Sequence, residues 1–129
     1  MQRQTSQRVA IENAFALAGR PLGPKEILQA ARNEVPNLNL ATVYRTVNRM
    51  VEEKTLYPIE LPGEAARYEL LEVADQHHHH FRCRECNAVF ILKGCVKGLS
   101  KLLPPGFRMS GHDIVIYGDC RVCIARRAC

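Results

Sequence analysis

No apolar run in this chain approaches the roughly 18 residues that a membrane span needs, so no bilayer-crossing helix is expected. The opening stretch, MQRQTSQRVAIENAF, is polar and then amphipathic. It lacks the apolar centre of a signal peptide, and the expectation is a cytoplasmic protein. There are no internal repeats, and no low-complexity tract beyond one run of histidines. No H-E-x-x-H or comparable set is present either. A zinc hydrolase needs an open metal position with a general base close by. Three histidines and Glu69 can imitate one, but the sequence reads as a non-enzyme.

What is present suits a soluble globular chain of one ordinary domain or two small ones: 129 residues, 47% hydrophobic and 24% charged. The formal charge of +5 is unevenly spread. Residues 1–72 carry nine Lys/Arg and nine Asp/Glu, whereas residues 73–129 carry nine against four. Four thiolates around one divalent ion would lower the apparent excess to about +3. Net charge alone is therefore weak support for a nucleic-acid partner.

The six cysteines decide more. Cys83-Arg84-Glu85-Cys86 and Cys120-Arg121-Val122-Cys123 are two C-x-x-C pairs, with Cys95 and Cys129 left over. Each pair brings two sulfurs to one tetrahedral centre, and two pairs complete a four-thiolate zinc site. In a cytoplasmic chain this reading is preferred to disulfides. The gap between the pairs is long, so the site staples distant parts of a domain.

The first half reads as three helices and a hairpin. Ser6 can cap a helix carrying Ile11, Ala14, Phe15 and Ala18 on one face. Pro24 opens a second, PKEILQAARNEV, with Ile27, Leu28 and Ala31 inward. Asn39 can cap a third, LATVYRTVNRMVEEKTL, with an apolar stripe of Val43, Val47, Met50 and Val51. Its opposite face carries Thr42, Arg45 and Arg49, with Tyr44 beside them. LYPIEL and ARYELLE then flank the turn PGEA. Three helices and such a hairpin make a winged helix-turn-helix, whose third helix is a candidate for the major groove. The alternative is a merely solvated helix face.

From about Asp75 the character changes. HHHHFRC, AVFIL and HDIVIYG read as strands, and KGCVKGLSKLL as a short amphipathic helix. On a strand, His77 and His79 point one way and His78 and His80 the other, giving two half-sites. His112 is the fifth histidine, and Glu69 and Glu72 are carboxylates close in sequence. A solvated strand or a tag remnant is the alternative. The run leads directly into C-x-x-C, however, and four weak strand formers heading a cysteine-anchored module favour metal binding.

LATVYRTVNRMVEEKTL, RYEL, HHHHFRCREC and HDIVIYGDCRVC, in this order, resemble the ferric uptake regulator family of metal-sensing bacterial repressors. The resemblance covers nearly the whole chain. It implies an α+β protein: a winged-helix DNA-binding domain over residues 1–73 and a small α/β metal-binding dimerisation domain over residues 74–129. It also implies a homodimer on palindromic double-stranded operator DNA, with Tyr44 and Arg45 approaching the duplex. Cys83, Cys86, Cys120 and Cys123 match the structural zinc ligands. Glu69, His78 and His80 match a regulatory hinge site; the histidine that usually completes it is absent from RPLGPKE, and Glu60, Glu64 or Glu72 can fill its place. His77, His79 and His112 match a second site in the dimerisation domain. The helix that should add an acid to that site, KGCVKGLSKLL, has none. Cys95 lies near the missing position and can substitute; the alternative is a buried spare thiol.

The implied mechanism is a metal that fixes the angle between the domains so that two recognition helices meet successive major grooves. Nitrogen-rich ligands lean toward zinc, with iron, through Glu69, or peroxide sensing as alternatives. A metal-buffering or protein-interaction module is the rival from another class. Family members often carry an extra leading helix. Without it, phosphate contacts fall to Arg3 and Arg8, and weaker nonspecific DNA binding is expected.

Overall fold

Helix α1 (Gln2–Ala18) buries Ala10, Ile11, Ala14 and Phe15. It starts before Ser6, which lies inside the helix and does not cap it. Gly19, at φ +62°, ends it in the left-handed conformation, its N–H donating to Phe15 O at 3.0 Å. In helix α2 (Pro24–Ala31) proline occupies the first turn, where its missing N–H costs nothing. The Glu26 carboxylate accepts from the Gly23 N–H at 3.0 Å. Helix α3 (Leu40–Glu52) is capped by Asn39, whose Oδ1 accepts from the Thr42 N–H at 2.9 Å. The expected helix ran on to Leu56; the chain leaves it at Glu52, with Lys54 at φ 63°.

Strands β1 (Leu56–Ile59) and β2 (Arg67–Leu70) form the antiparallel wing, Leu56 opposite Leu70 and Ile59 opposite Arg67. Leu22, between α1 and α2, bridges to Tyr68 through a reciprocal pair of backbone hydrogen bonds, at 3.0 and 2.9 Å. The strand expected to run through ARYELLE stops at Leu70, and Leu71–Ala74 is a short helix, α4. One apolar core unites these elements, with Ile11, Ile27, Leu38, Val43, Val47, Met50 and Leu56 at its centre.

This computed structural model describes residues 2–74 and 77–127, so Cys129 lies outside the described residues. It divides into two units, Met1–Gln76 and His77–Cys129. Together they make the α+β architecture expected of the sequence, a winged helix followed by a small mixed sheet.

In the second unit β3 (His78–Cys83) is central, antiparallel to β4 (Val89–Lys93) and parallel to β5 (Val115–Gly118). Helix α5 (Arg121–Arg127) follows β5. The helix expected over KGCVKGLSKLL is absent, and Leu99–Leu102 makes only a 3-10 turn. Gly94 at φ +99° and Gly98 at φ +84° interrupt the stretch. Both sit in the left-handed region, which breaks a right-handed helix. Among the described residues, the second unit's buried apolar side chains reduce to Cys83, Ala88, Val89, Cys120 and Cys123. So small a unit cannot stabilise itself on that core alone.

Candidate metal centres and the exposed third helix

Cys83 ends β3 and enters a tight knuckle. Its N–H donates to Ala88 O at 2.9 Å, while the Asn87 N–H returns to Cys83 O at 3.0 Å. Asn87 adopts φ 66°, which asparagine tolerates better than most residues. Cys120 stands at the start of α5, its carbonyl accepting from the Ile124 N–H at 3.0 Å, and Cys123 lies in the first turn. The parallel pairing of β3 with β5 sets Cys83 beside Gly118, two residues from Cys120. A Cβ on Gly118 would meet the Phe81 ring at 3.3 Å, so glycine permits this close approach.

The four sulfurs of Cys83, Cys86, Cys120 and Cys123 all lie within 4.8 Å of one another. Cys83 and Cys123 are 3.7 Å apart, and Cys86 and Cys120 are 3.8 Å apart. A disulfide needs about 2.05 Å. A tetrahedral zinc with Zn–S of about 2.3 Å sets sulfurs about 3.8 Å apart. The geometry therefore fits a four-thiolate zinc centre and not a disulfide.

The electrostatics agree. Backbone N–H groups, that of Cys86 first and those of Cys120 and Glu85 after it, hold the Cys83 thiol down to about 6. Burial, followed by the neighbouring sulfurs, pushes Cys123 up to about 12. Four packed sulfurs cannot all ionise without a cation among them, and a divalent ion removes that penalty.

The opposite end of the same strand pair gathers imidazoles. His77 and His79 share a face of the β3 segment with ring centroids 4.8 Å apart, and the His112 ring is 5.1 and 5.0 Å from them. His79 is buried, and its Nδ1 accepts from the Ile114 N–H at 3.3 Å. His79 Nε2 faces the Cys95 sulfur at 3.2 Å. Burial first, and then the His77 and His112 charges, lower the His79 pKa and favour the neutral imidazole. Cys95 Sγ also lies 2.9 Å from His112 Nε2, and its side chain is exposed. The buried spare thiol is therefore not what the structure has. The ligating atoms of His77, His79, Cys95 and His112 all fall within 4.8 Å.

Of the expected hinge ligands, Glu69 is a buried residue of β2 in the first unit, paired across the wing with Tyr57. His78 and His80 lie on the other face of β3 in the second unit, with ring centroids 4.9 Å apart.

The third helix presents Tyr44, Arg45 and Arg49 to solvent. Thr42 was expected on that face, but it is buried at 8% exposure. It adjoins Val43, and its hydroxyl accepts from the Arg45 guanidinium at 3.0 Å, setting that side chain's direction. Asn48 shares the exposed face and was missed; its spacing of three from Arg45 and four from Tyr44 was the available signal. Arg8, expected as a phosphate contact, is engaged within the chain. Its guanidinium pairs with Glu12 and Glu53 and reaches Thr55 Oγ1 at 3.5 Å. The Glu53 carboxylate first, and then Glu12, raise the Arg8 pKa. The nearby Arg3 lies in α1, and its side chain falls outside the described residues. Among the described residues, no helix is long and apolar enough to cross a membrane.

A winged helix joined to a small sheet with clustered thiols and imidazoles defines a class: metal-responsive transcriptional regulators. A family model described as the ferric uptake regulator family matches residues 2–117. The ferric uptake regulation protein of Bacillus subtilis (strain 168) is 29% identical over 126 residues, covering 95% of this chain and 82% of that one. The zinc uptake regulation protein of Escherichia coli (strain K12) is 25% identical over 135 residues, covering 98% and 76%. Among solved structures, the ferric uptake regulator from Francisella tularensis with iron gives a TM-score of 0.67 at 25% identity, covering 92% of this chain and 91% of that one. The chain belongs to the ferric uptake regulator family.

Proposed function

We propose that this protein is a cytoplasmic, metal-gated DNA-binding repressor of metal-homeostasis genes, with zinc as its regulatory ion. It acts as a homodimer on palindromic double-stranded DNA. The observation that carries the reading is the pairing of two features in one chain. One is a third helix exposing Tyr44, Arg45 and Arg49; the other is a histidine cluster separate from the four-cysteine centre. In this reading residues 1–73 bind DNA and residues 74–129 bind metal and dimerise. Cys83, Cys86, Cys120 and Cys123 hold a permanent structural zinc. His77, His79 and His112 hold an ion in the dimerisation domain. Glu69, His78 and His80 are assigned to a hinge ion on the strength of the family resemblance. Ligands drawn from both domains let one ion favour the DNA-competent state, and a bias of a few kcal/mol switches occupancy.

Dimerisation is supported by apolar side chains left exposed in the second unit. Ile116 on the edge strand β5 is 49% exposed, Leu102 is 81% exposed and Phe107 is 67% exposed. A second copy is the partner that places the same surface on both sides of an interface.

An iron-responsive regulator is the second reading. It is favoured by the higher identity to the iron-named Bacillus subtilis relative, 29% against 25% for the zinc-named one, and by the carboxylate of Glu69. The test is selection of bound sequences from a random double-stranded DNA library. It is run with untagged protein before and after chelation and after adding back zinc, iron or manganese. Palindromes recovered only with a returned metal support the repressor, and the metal that restores them names its signal. Equal binding after chelation makes the protein a repressor that has lost its sensor, and no DNA binding with any metal turns the reading toward a metal-buffering module.

A further inference from the structure

We infer that Cys95 is a thiolate ligand that closes the His77–His79–His112 group into a tetrahedral three-histidine, one-cysteine site selective for zinc-like divalent ions. This deepens the metal-responsive reading above and rests on it for its biological meaning.

The sequence alone leaves the histidine group short of an acid, and the fold supplies a sulfur. Strand β4 pairs with β3 so that His79 faces Leu92 and His78 faces Lys93. Immediately after Lys93 the chain turns at Gly94, φ +99°, and brings Cys95 over the His77–His79 face. Its sulfur is 2.9 Å from His112 Nε2 and 3.2 Å from His79 Nε2. Free cysteine is ordinarily among the most buried residues. Here the thiol is exposed, with two imidazole nitrogens against it, a placement that core packing does not explain. Among the described residues no carboxylate joins these four ligand atoms.

The fit is close. A tetrahedral zinc with Zn–N of about 2.0–2.1 Å and Zn–S of about 2.3 Å separates sulfur from nitrogen by about 3.5 Å. Cys95 therefore has to move outward by roughly half an ångström. The Cys95 side chain is exposed, so solvent lies on its outward side.

The donor set determines the chemistry. Three imidazoles and one thiolate fill a tetrahedral sphere and leave no open position. A soft sulfur in place of a hard carboxylate oxygen disfavours manganese and other oxygen-preferring ions.

The test uses the full chain with its structural zinc in place and one equivalent of Co2+. Tetrahedral cobalt with one sulfur-to-cobalt charge-transfer band is expected, and Cys95→Ser should lose that band. Zinc affinity of this site should fall more than about 100-fold in the variant, exceeding the roughly 10–100-fold that outer-shell partners usually cost. In parallel, iodoacetamide labelling of Cys95 should be fast in protein holding only structural zinc and blocked by a second zinc. Cys95 labelled equally with and without the second zinc, or identical cobalt spectra for wild type and Cys95→Ser, would overturn the inference. The side chain is exposed, so the serine variant should fold; retention of one chelator-resistant zinc verifies it. Neither readout involves DNA, so failure of the repressor reading and failure of this one are separable.

Discussion

His80 pairs in parallel register with Val115, and this single offset between β3 and β5 decides where both groups of ligands meet. Carried forward, it sets Cys83 level with Gly118 and delivers Cys120 and Cys123 to the sulfur of Cys83. Carried back, it sets His77 level with His112, whose rings lie 5.1 Å apart. One strand pair thus has a thiol cluster at one end and an imidazole cluster at the other. A permanent metal at the cysteine end would hold the register on which the histidine end depends.

That dependence makes Cys123→Ala severe. Cys123 is buried in the only described cluster of buried side chains near α5, so its loss removes both a ligand and core volume. Structural zinc in small domains is worth roughly 10–16 kcal/mol of apparent folding free energy, more than the usual net stability of a domain. The variant should lose its chelator-resistant zinc. Hydrogen exchange should show the second unit unprotected while the amides of α1 and α3 stay protected. Retained zinc with unchanged protection of β3 would contradict the assignment.

Arg45→Ala should weaken DNA binding by about 1–3 kcal/mol if the guanidinium reads a base, or lower the salt slope by about one if it meets a phosphate. Thr42→Val removes the hydroxyl that orients Arg45 while keeping the buried shape. It should reproduce part of the same loss with zinc content unchanged. Both effects are read by fluorescence anisotropy of a labelled duplex recovered from the selection.

Arg8→Ala separates two roles for one residue. Its pairs with Glu12 and Glu53 tie α1 to the end of α3. Partly exposed ion pairs contribute at most about 1 kcal/mol, so a small fall in Tm is expected, with the salt slope of DNA binding unchanged. A slope lowered by about one instead would restore Arg8 as a phosphate contact.

The lowered pKa of His79 carries a pH dependence. Unfolded, the imidazole takes up a proton near its ordinary value of 6.5; folded, burial delays that uptake. The unfolded state therefore binds more protons as pH falls from 6.5 toward the folded value, and stability is lost over that window. Protein holding only structural zinc should unfold at lower denaturant at pH 5.5 than at pH 7.5, and His79→Gln should flatten the difference. An equal pH dependence in the variant would place the effect elsewhere.

Much of this was legible locally. Asn39 before an apolar stripe announced α3, because a cap needs only its own side chain and the N–H three residues on. The alternation that divides His77 and His79 from His78 and His80 needs only the period of a strand. Thr42 was misplaced because it borders the apolar stripe, and only the packing of α3 decided that it turned inward. The apolar spacing around Cys95 predicts a helix that does not form, because Gly94 and Gly98 both adopt positive φ.

The winged-helix order, the strand alternation of the histidines and the two C-x-x-C pairs are each encoded within a few consecutive residues. It takes the folded chain to set Glu53 against Arg8, to bury Thr42 and to bring Cys95 to His79 and His112. Those relationships join segments distant along the chain. Their partners are chosen by strand register and helix packing, which no local pattern of residues specifies.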